Sequence, residues 1–308
     1  MAGRGGSVLA DVLAICLAAC LAAAVPAHVG AQSARSFELD DVMSFPYPSA
    51  PVAAEDADRL AWTEYREGVR NVWTAAAPDF EPQRLTDYAE DDGQPLGDLA
   101  LTPDGSTVVY VRGGDANQSG EHPNPTSDPD GAEQAVWAVR TDGGEPWRVG
   151  EGDGPEPSPD GTEILFTRSG TIYLADLTPP DDGAESPEET PAAGDTVPSE
   201  EAGRAAEPEP LFRARGGNGS PRWSPDGAEV LFTSSRGDHA FLGVYDREAD
   251  AIRWIAPSVD RDGPAVWSPD GERIAFVRTP GAMRGELYDL TGGSPFSVWV
   301  ADADGGEA

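Results

Sequence analysis

Three copies of Ser-Pro-Asp-Gly, at Ser158 to Gly161, Ser224 to Gly227 and Ser268 to Gly271, dictate what this chain can fold into, together with the variant Thr102-Pro103-Asp104-Gly105. Pro at the second turn position fixes φ near −65°, Asp caps the turn with its side chain, and Gly supplies the positive φ that closes a strand-to-strand turn. Each tetrapeptide is therefore a hairpin joint. A β-branched or aromatic run follows every joint: Val108-Val109-Tyr110-Val111, Ile164-Leu165-Phe166-Thr167, Val230-Leu231-Phe232-Thr233 and Ile274-Ala275-Phe276-Val277. These runs read as second strands, with Trp223 and Trp267 closing the first strand in two of the units. Third strands read at Val136-Trp137-Ala138-Val139, Ile172-Tyr173-Leu174-Ala175, Gly243-Val244-Tyr245 and Val298-Trp299-Val300-Ala301.

A fourth strand is exposed by spacing. Trp73 is followed eleven residues later by Arg84-Leu85-Thr86, and Trp137 eleven residues later by Arg148-Val149. Trp299 starts the same register, with Asp304-Gly305-Gly306-Glu307 matching Asp142-Gly143-Gly144-Glu145, but the counterpart of Arg148 would fall at 310. Units are thus expected at about 50–87, 97–150, 154–213, 219–256 and 263–308, the last lacking its outer strand, after a lead-in at 32–49. A period of 40 to 45 residues with four strands per repeat is the signature of a β-propeller. The expected fold is all-β, a propeller of about five four-stranded blades that form an incomplete ring, with no helix beyond about two turns after residue 35.

Composition supports this and excludes other classes. Gly (36) and Pro (29) make up about a fifth of the 308 residues, unsuited to long helices. The net charge is −34 and every basic residue is Arg, so the chain cannot assemble the basic face that nucleic acid requires. Residues 179–210 hold ten acids, one Arg and seven Pro, and read as a disordered insert hanging from the third blade ahead of a fourth strand around Leu211-Phe212.

The N-terminus reads as an export signal. Arg4 precedes an apolar run from Val8 to Val25, and the best cleavage position follows Ala31, giving a signal peptide over 1–31. Two alternatives stay open: a single-span anchor, and a lipoprotein box at Leu17-Ala18-Ala19-Cys20 that would lipidate Cys20. Both cysteines, Cys16 and Cys20, lie in this segment, so the mature chain would have no disulfide, Cys-ligated metal or thiol nucleophile. The expected location is periplasmic or extracellular, with no integral membrane domain in the mature chain.

The catalytic inventory is sparse. A nucleophile elbow needs Gly-x-Ser-x-Gly, which does not occur. Gly219-Ser220-Pro221 and Gly292-Gly293-Ser294-Pro295 read as turns, as does Gly150-x-Gly152-x-Gly154, which leads into Pro155 and a strand rather than a helix. His122 and His239 sit in loops. Asp115, Asn117, Asp128 and Asp130 offer oxygen ligands in one loop, but at no calcium-loop spacing. No catalytic, cofactor-binding or metal-binding residue is therefore assigned. The loop from Gly113 to Gln134 joins the second and third strands of one blade and is too long for a simple hairpin. It carries Asp115, His122 and Asn124.

The Ser-Pro-Asp-Gly blades, one of them led by Pro221-Arg222-Trp223, resemble repeats shared by the Tol-system periplasmic propeller and the prolyl oligopeptidase family. Two further stretches are similar to the opening blades of exported bacterial dipeptidyl and acylaminoacyl peptidases of the latter family. One is Arg66-Glu67-Gly68-Val69-Arg70-Asn71-Val72-Trp73 with Gln83-Arg84-Leu85-Thr86 and Glu90-Asp91-Asp92-Gly93-Gln94. The other is Val111-Arg112-Gly113-Gly114-Asp115, leading to Pro123-Asn124-Pro125 and Gln134-Ala135-Val136-Trp137. The resemblance spans about 38–308. It implies a non-catalytic propeller that gates peptide substrate for a C-terminal α/β-hydrolase domain outside these residues, with no cofactor and with Asp115, His122 and Asn124 of the long loop as the candidate substrate-gating residues. A Tol-like protein-binding scaffold is the alternative.

Overall fold

The computed structural model describes residues 44–117, 119, 121–122, 133–179, 208–281 and 295–305. The export segment, Asn124, Asp128, Asp130, Gly292 to Ser294 and most of the acidic insert lie outside these residues. Every regular element among the described residues is a β-strand. Blade 1 is the antiparallel sheet β1 (Tyr47–Ala53), β2 (Arg59–Arg66), β3 (Val69–Ala76) and β4 (Gln83–Arg84), and it begins inside the expected lead-in. Blade 2 is β5 (Leu96–Leu101), β6 (Thr107–Arg112), β7 (Ala135–Arg140) and β8 (Trp147–Glu151). Blade 3 is β9 (Asp153–Pro157), β10 (Glu163–Arg168), β11 (Thr171–Asp176) and β12 (Glu209–Pro210). Blade 4 is β13 (Gly217–Trp223), β14 (Glu229–Ser235), β15 (Ala240–Asp246) and β16 (Ala251–Ile255). Blade 5 is β17 (Arg261–Trp267), β18 (Arg273–Thr279) and β19 (Ser297–Asp302), and a parallel pairing of Ala240 with Arg261 joins it to blade 4.

The eleven-residue offset is a cross-strand register: Trp73 pairs with Arg84 and Trp137 with Arg148. The outer strand of blade 3 starts earlier than expected. Glu209 pairs with Leu174 and Pro210 with Tyr173, before Leu211-Phe212. Phe212 instead turns into the core between Phe232 and Tyr245, at 4.6 and 4.9 Å between ring centres.

The four joints share one hydrogen-bond set. In the blade 4 joint the Ser224 hydroxyl donates to Asp226 Oδ1 at 2.7 Å, the amides of Ala228 and Glu229 donate to Asp226 and Ser224, and Gly227 N donates to Ser224 O at 2.9 Å. Thr102, Ser158 and Ser268 repeat the hydroxyl-to-carboxylate bond with Asp104, Asp160 and Asp270. The turn glycines have φ of +70°, +73°, +71° and +72°. The hydroxyl bond leads the causes that hold Asp160, Asp226 and Asp270 below the usual carboxylate range. At Asp104 desolvation pushes the other way, and the bonds from Ser106 and Thr102 outweigh it.

Packing between blades is as regular as the joints. Five residues after each turn glycine stands a fully buried ring: Tyr110, Phe166, Phe232 and Phe276. These rings fill the layers between successive blades. Ile164 and Phe166 pack on Val109, Val136 and Ala138, whereas Ile274 and Phe276 pack on Leu231, Leu242 and Val244. The joints also stack: a Cβ on Gly161 would stand 3.4 Å from Thr102, and one on Gly227 or Gly271 would stand 3.7 Å from Pro159 or Pro225. Each joint therefore rests on the one before it.

Candidate functional site

The first strand of every blade is interrupted by one residue in the left-handed region: Ala50, Asp98, Gly154, Ser220 and Gly263. The ladder slips at each of these places, which makes them β-bulges. Four are followed by proline, at 51, 155, 221 and 264, and a residue without an N–H leaves no donor unpaired where the ladder is broken. Gly219-Ser220-Pro221, expected as a turn, is thus the bulge inside β13. Gly152 links β8 to β9, as the turn reading of that segment requires, while Gly154 lies within β9.

These first strands neighbour one another in the order β1, β5, β9, β13, β17. The Ser-Pro-Asp-Gly joints leave from their C-terminal ends. The connections between second and third strands emerge at the opposite ends, because β6 runs antiparallel to β5 and Leu96 pairs with Arg112. The long loop after Arg112 therefore opens beside the N-terminal ends of the inner strands. Its base is well tied. Gly113 N donates to Pro95 O at 3.0 Å, and Gly152 N donates to Gln134 O at 2.9 Å. Glu133 takes a two-bond clasp from Arg148, at 2.7 and 2.6 Å, which leads the causes that lower its carboxyl pKa.

Asp115 and His122 both fall within this base. Asp115 accepts from Gln134 Nε2 at 2.6 Å. His122 Nδ1 lies 2.9 Å from the Gly114 carbonyl oxygen, and because a carbonyl only accepts, that nitrogen carries the proton. The structure groups Asp115 with two acids that sequence reasoning missed, Asp98 of β5 and Asp153 of β9. Burial raises the Asp153 pKa, and the charges of Asp115 and Asp98 raise it further. Asn124 lies outside the described residues. The other loop histidine, His239, lies between β14 and β15 of blade 4, bonds Asp238 at 2.7 Å and packs its ring on Phe241.

Further along β9 stands Glu156. Desolvation raises its pKa to about 7, only partly offset by Arg222 at 2.9 Å and reinforced by Glu55. An acid whose folded pKa is raised stabilises the fold below its unfolded pKa of about 4.3 and loses that contribution as pH rises through the folded value. Glu156→Gln is expected to flatten the fall in thermal midpoint between pH 5 and pH 8, and to melt higher than the parent at pH 8. Equal slopes in a pH series of melts would refute this assignment. Among the missed acids Asp153 had a visible signal, the tripeptide Asp-Gly-Pro at 153–155 that recurs at 262–264, where the structure places bulges.

No family model matches the chain. The Tol-Pal system protein TolB of Anaeromyxobacter dehalogenans strain 2CP-C is 38% identical over 89 residues, which are 29% of this chain and 18% of TolB. The match thus spans less than a fifth of that relative's length. Among solved structures, one from a structural and mechanistic analysis of two prolyl endopeptidases aligns with 77% of this chain and 33% of its own, with a TM-score of 0.51 and 14% identity. The chain is a β-propeller. The putative TolB from Agrobacterium tumefaciens aligns with 85% of this chain and 79% of its own at a TM-score of 0.47 and 20% identity.

Proposed function

We propose that this propeller is the non-catalytic, substrate-gating part of an exported serine peptidase of the prolyl oligopeptidase type, acting on short peptides held between it and an α/β-hydrolase domain. The observation that carries this reading is the tied loop base at the inner strands, where Asp98, Asp115 and Asp153 gather. The described base of this loop stands beside the N-terminal ends of the inner strands, and the acids there favour peptides with a positive end. The motifs from Arg66 to Gln94 and from Val111 to Trp137 support the same family. The local identity to TolB favours a second reading, a periplasmic scaffold that binds envelope proteins and cleaves nothing.

A fluorophosphonate probe separates the two. Antibody against this propeller, used on extracts of the source cells, should recover a polypeptide or complex that the probe labels on serine. Recovery of unlabelled propeller together with envelope proteins would overturn the peptidase reading and favour the scaffold.

A further inference from the structure

Among the described residues, exposed large apolar side chains on the strands belong to blades 1 and 5. Each of blades 2, 3 and 4 turns one face toward the blade before it and the other toward the blade after it. On the following face, the third-strand residue aligned with Val298 is Val136, Ile172 or Leu242, and the one aligned with Val300 is Ala138, Leu174 or Val244. Val136, Leu242, Ala138 and Val244 are 0% exposed, whereas Val298 is 69% and Val300 52% exposed. Val266, on the inner strand of the same blade, is 54% exposed and pairs with Ala275, which pairs in turn with Val300. The preceding face of blade 5, with Ile274, Phe276 and Ala301, is packed on blade 4. Blade 5 thus carries the residue pattern of an interior blade but shows half of it to solvent.

The blade-to-blade joint has a second repeated part. The Trp223 indole N–H donates to the carbonyl of Glu156, two residues before Ser158 of the preceding blade, at 3.1 Å. Trp267 does the same to Arg222, two residues before Ser224, at 3.2 Å. The next acceptor in this series is the Val266 carbonyl, and the next proline awaiting a turn glycine is Pro269.

We infer that the Val266, Val298 and Val300 face of blade 5 is an interaction surface for a further four-stranded blade of this same repeat, whose Trp-Ser-Pro-Asp-Gly joint sets its indole N–H on Val266 O and its glycine on Pro269. The support is continuity with the interfaces already formed between blades 3, 4 and 5. The inference is independent of whether the propeller gates a peptidase or serves as a scaffold.

The test appends a second copy of residues 251–305 after Gly306. Asp246 pairs with Ala251 across a four-residue turn, and 303–306 reproduces that spacing after Asp302, so the appended β16 can fill the fourth position of blade 5. With Cys16→Ser and Cys20→Ser in place, Val300→Cys leaves one reporter thiol. Maleimide should modify it at least about tenfold more slowly in the extended chain than in the unextended one, and Trp267→Phe within the appended copy should restore part of the rate. Equal rates in the two chains would overturn the inference. So would protection already present in the unextended chain: if independent of concentration, another segment of the same chain covers the face; if concentration-dependent, a second copy does. Val266→Cys serves as the reporter if the first variant lacks the parent's circular dichroism.

Discussion

Replacing Asp262 with Ala is expected to destabilise blade 5 by about 3–5 kcal/mol, the usual cost of removing one partner of a buried ion pair. The Asp262 side chain is fully buried and that of Arg278 nearly so. Their carboxylate and guanidinium meet in two bonds of 2.6 and 2.9 Å, and Arg278 also donates to the Ala256 carbonyl at 2.7 Å. The guanidinium lies 4.6 Å from the Trp299 ring centre and 5.3 Å from that of Phe276. One side chain therefore ties β17, β18, β19 and the connection from β16. Without Asp262 the cation stays enclosed by rings and keeps only a carbonyl. Urea unfolding followed by tryptophan fluorescence measures the loss, and a change below about 1 kcal/mol would show that the pair is relaxed or hydrated. The double variant Asp262→Leu with Arg278→Met should lose less than Asp262→Ala alone, because it leaves no unpaired charge.

Phe232→Ala should cost a similar amount, about 3–5 kcal/mol. The ring is fully buried, with ring centres of Phe212 and Trp254 at 4.6 and 5.9 Å. It also covers its cross-strand partner Gly243 so closely that a Cβ there would stand 2.5 Å from the ring. Gly243→Ala in the parent therefore forces the ring aside, at about 1–3 kcal/mol. In the Phe232→Ala background the same methyl enters the vacated space and should be neutral or stabilising. The sign of the coupling in a double-mutant cycle is the check: additive losses would mean that ring and glycine do not share that space.

The sequence determined the joints, the strands that flank them and the rings at fixed distance behind them. The reason is locality: Ser, Pro, Asp and Gly close their whole hydrogen-bond set within six residues, so Ser224 to Glu229 specifies its turn without outside help. Alternation after the joint then decides which face Phe232 occupies. The same locality made the four-stranded register readable, since Trp137 and Arg148 sit across one short turn.

Tertiary structure alone decided what stands beside what. Asp98, Asp115 and Asp153 belong to three separate segments, and the charges of the first two act on the third because β5 and β9 are neighbouring inner strands and the loop after Arg112 starts beside their ends. Glu156 looks like any surface acid in the chain, and burial beside Arg222, 66 residues later, gives it a pKa near neutrality. Asp262 and Arg278 are sixteen residues apart, and only the assembled sheet buries them together. Such groupings rest on long-range packing and desolvation, which depend on the assembled blades rather than on any local run of residues.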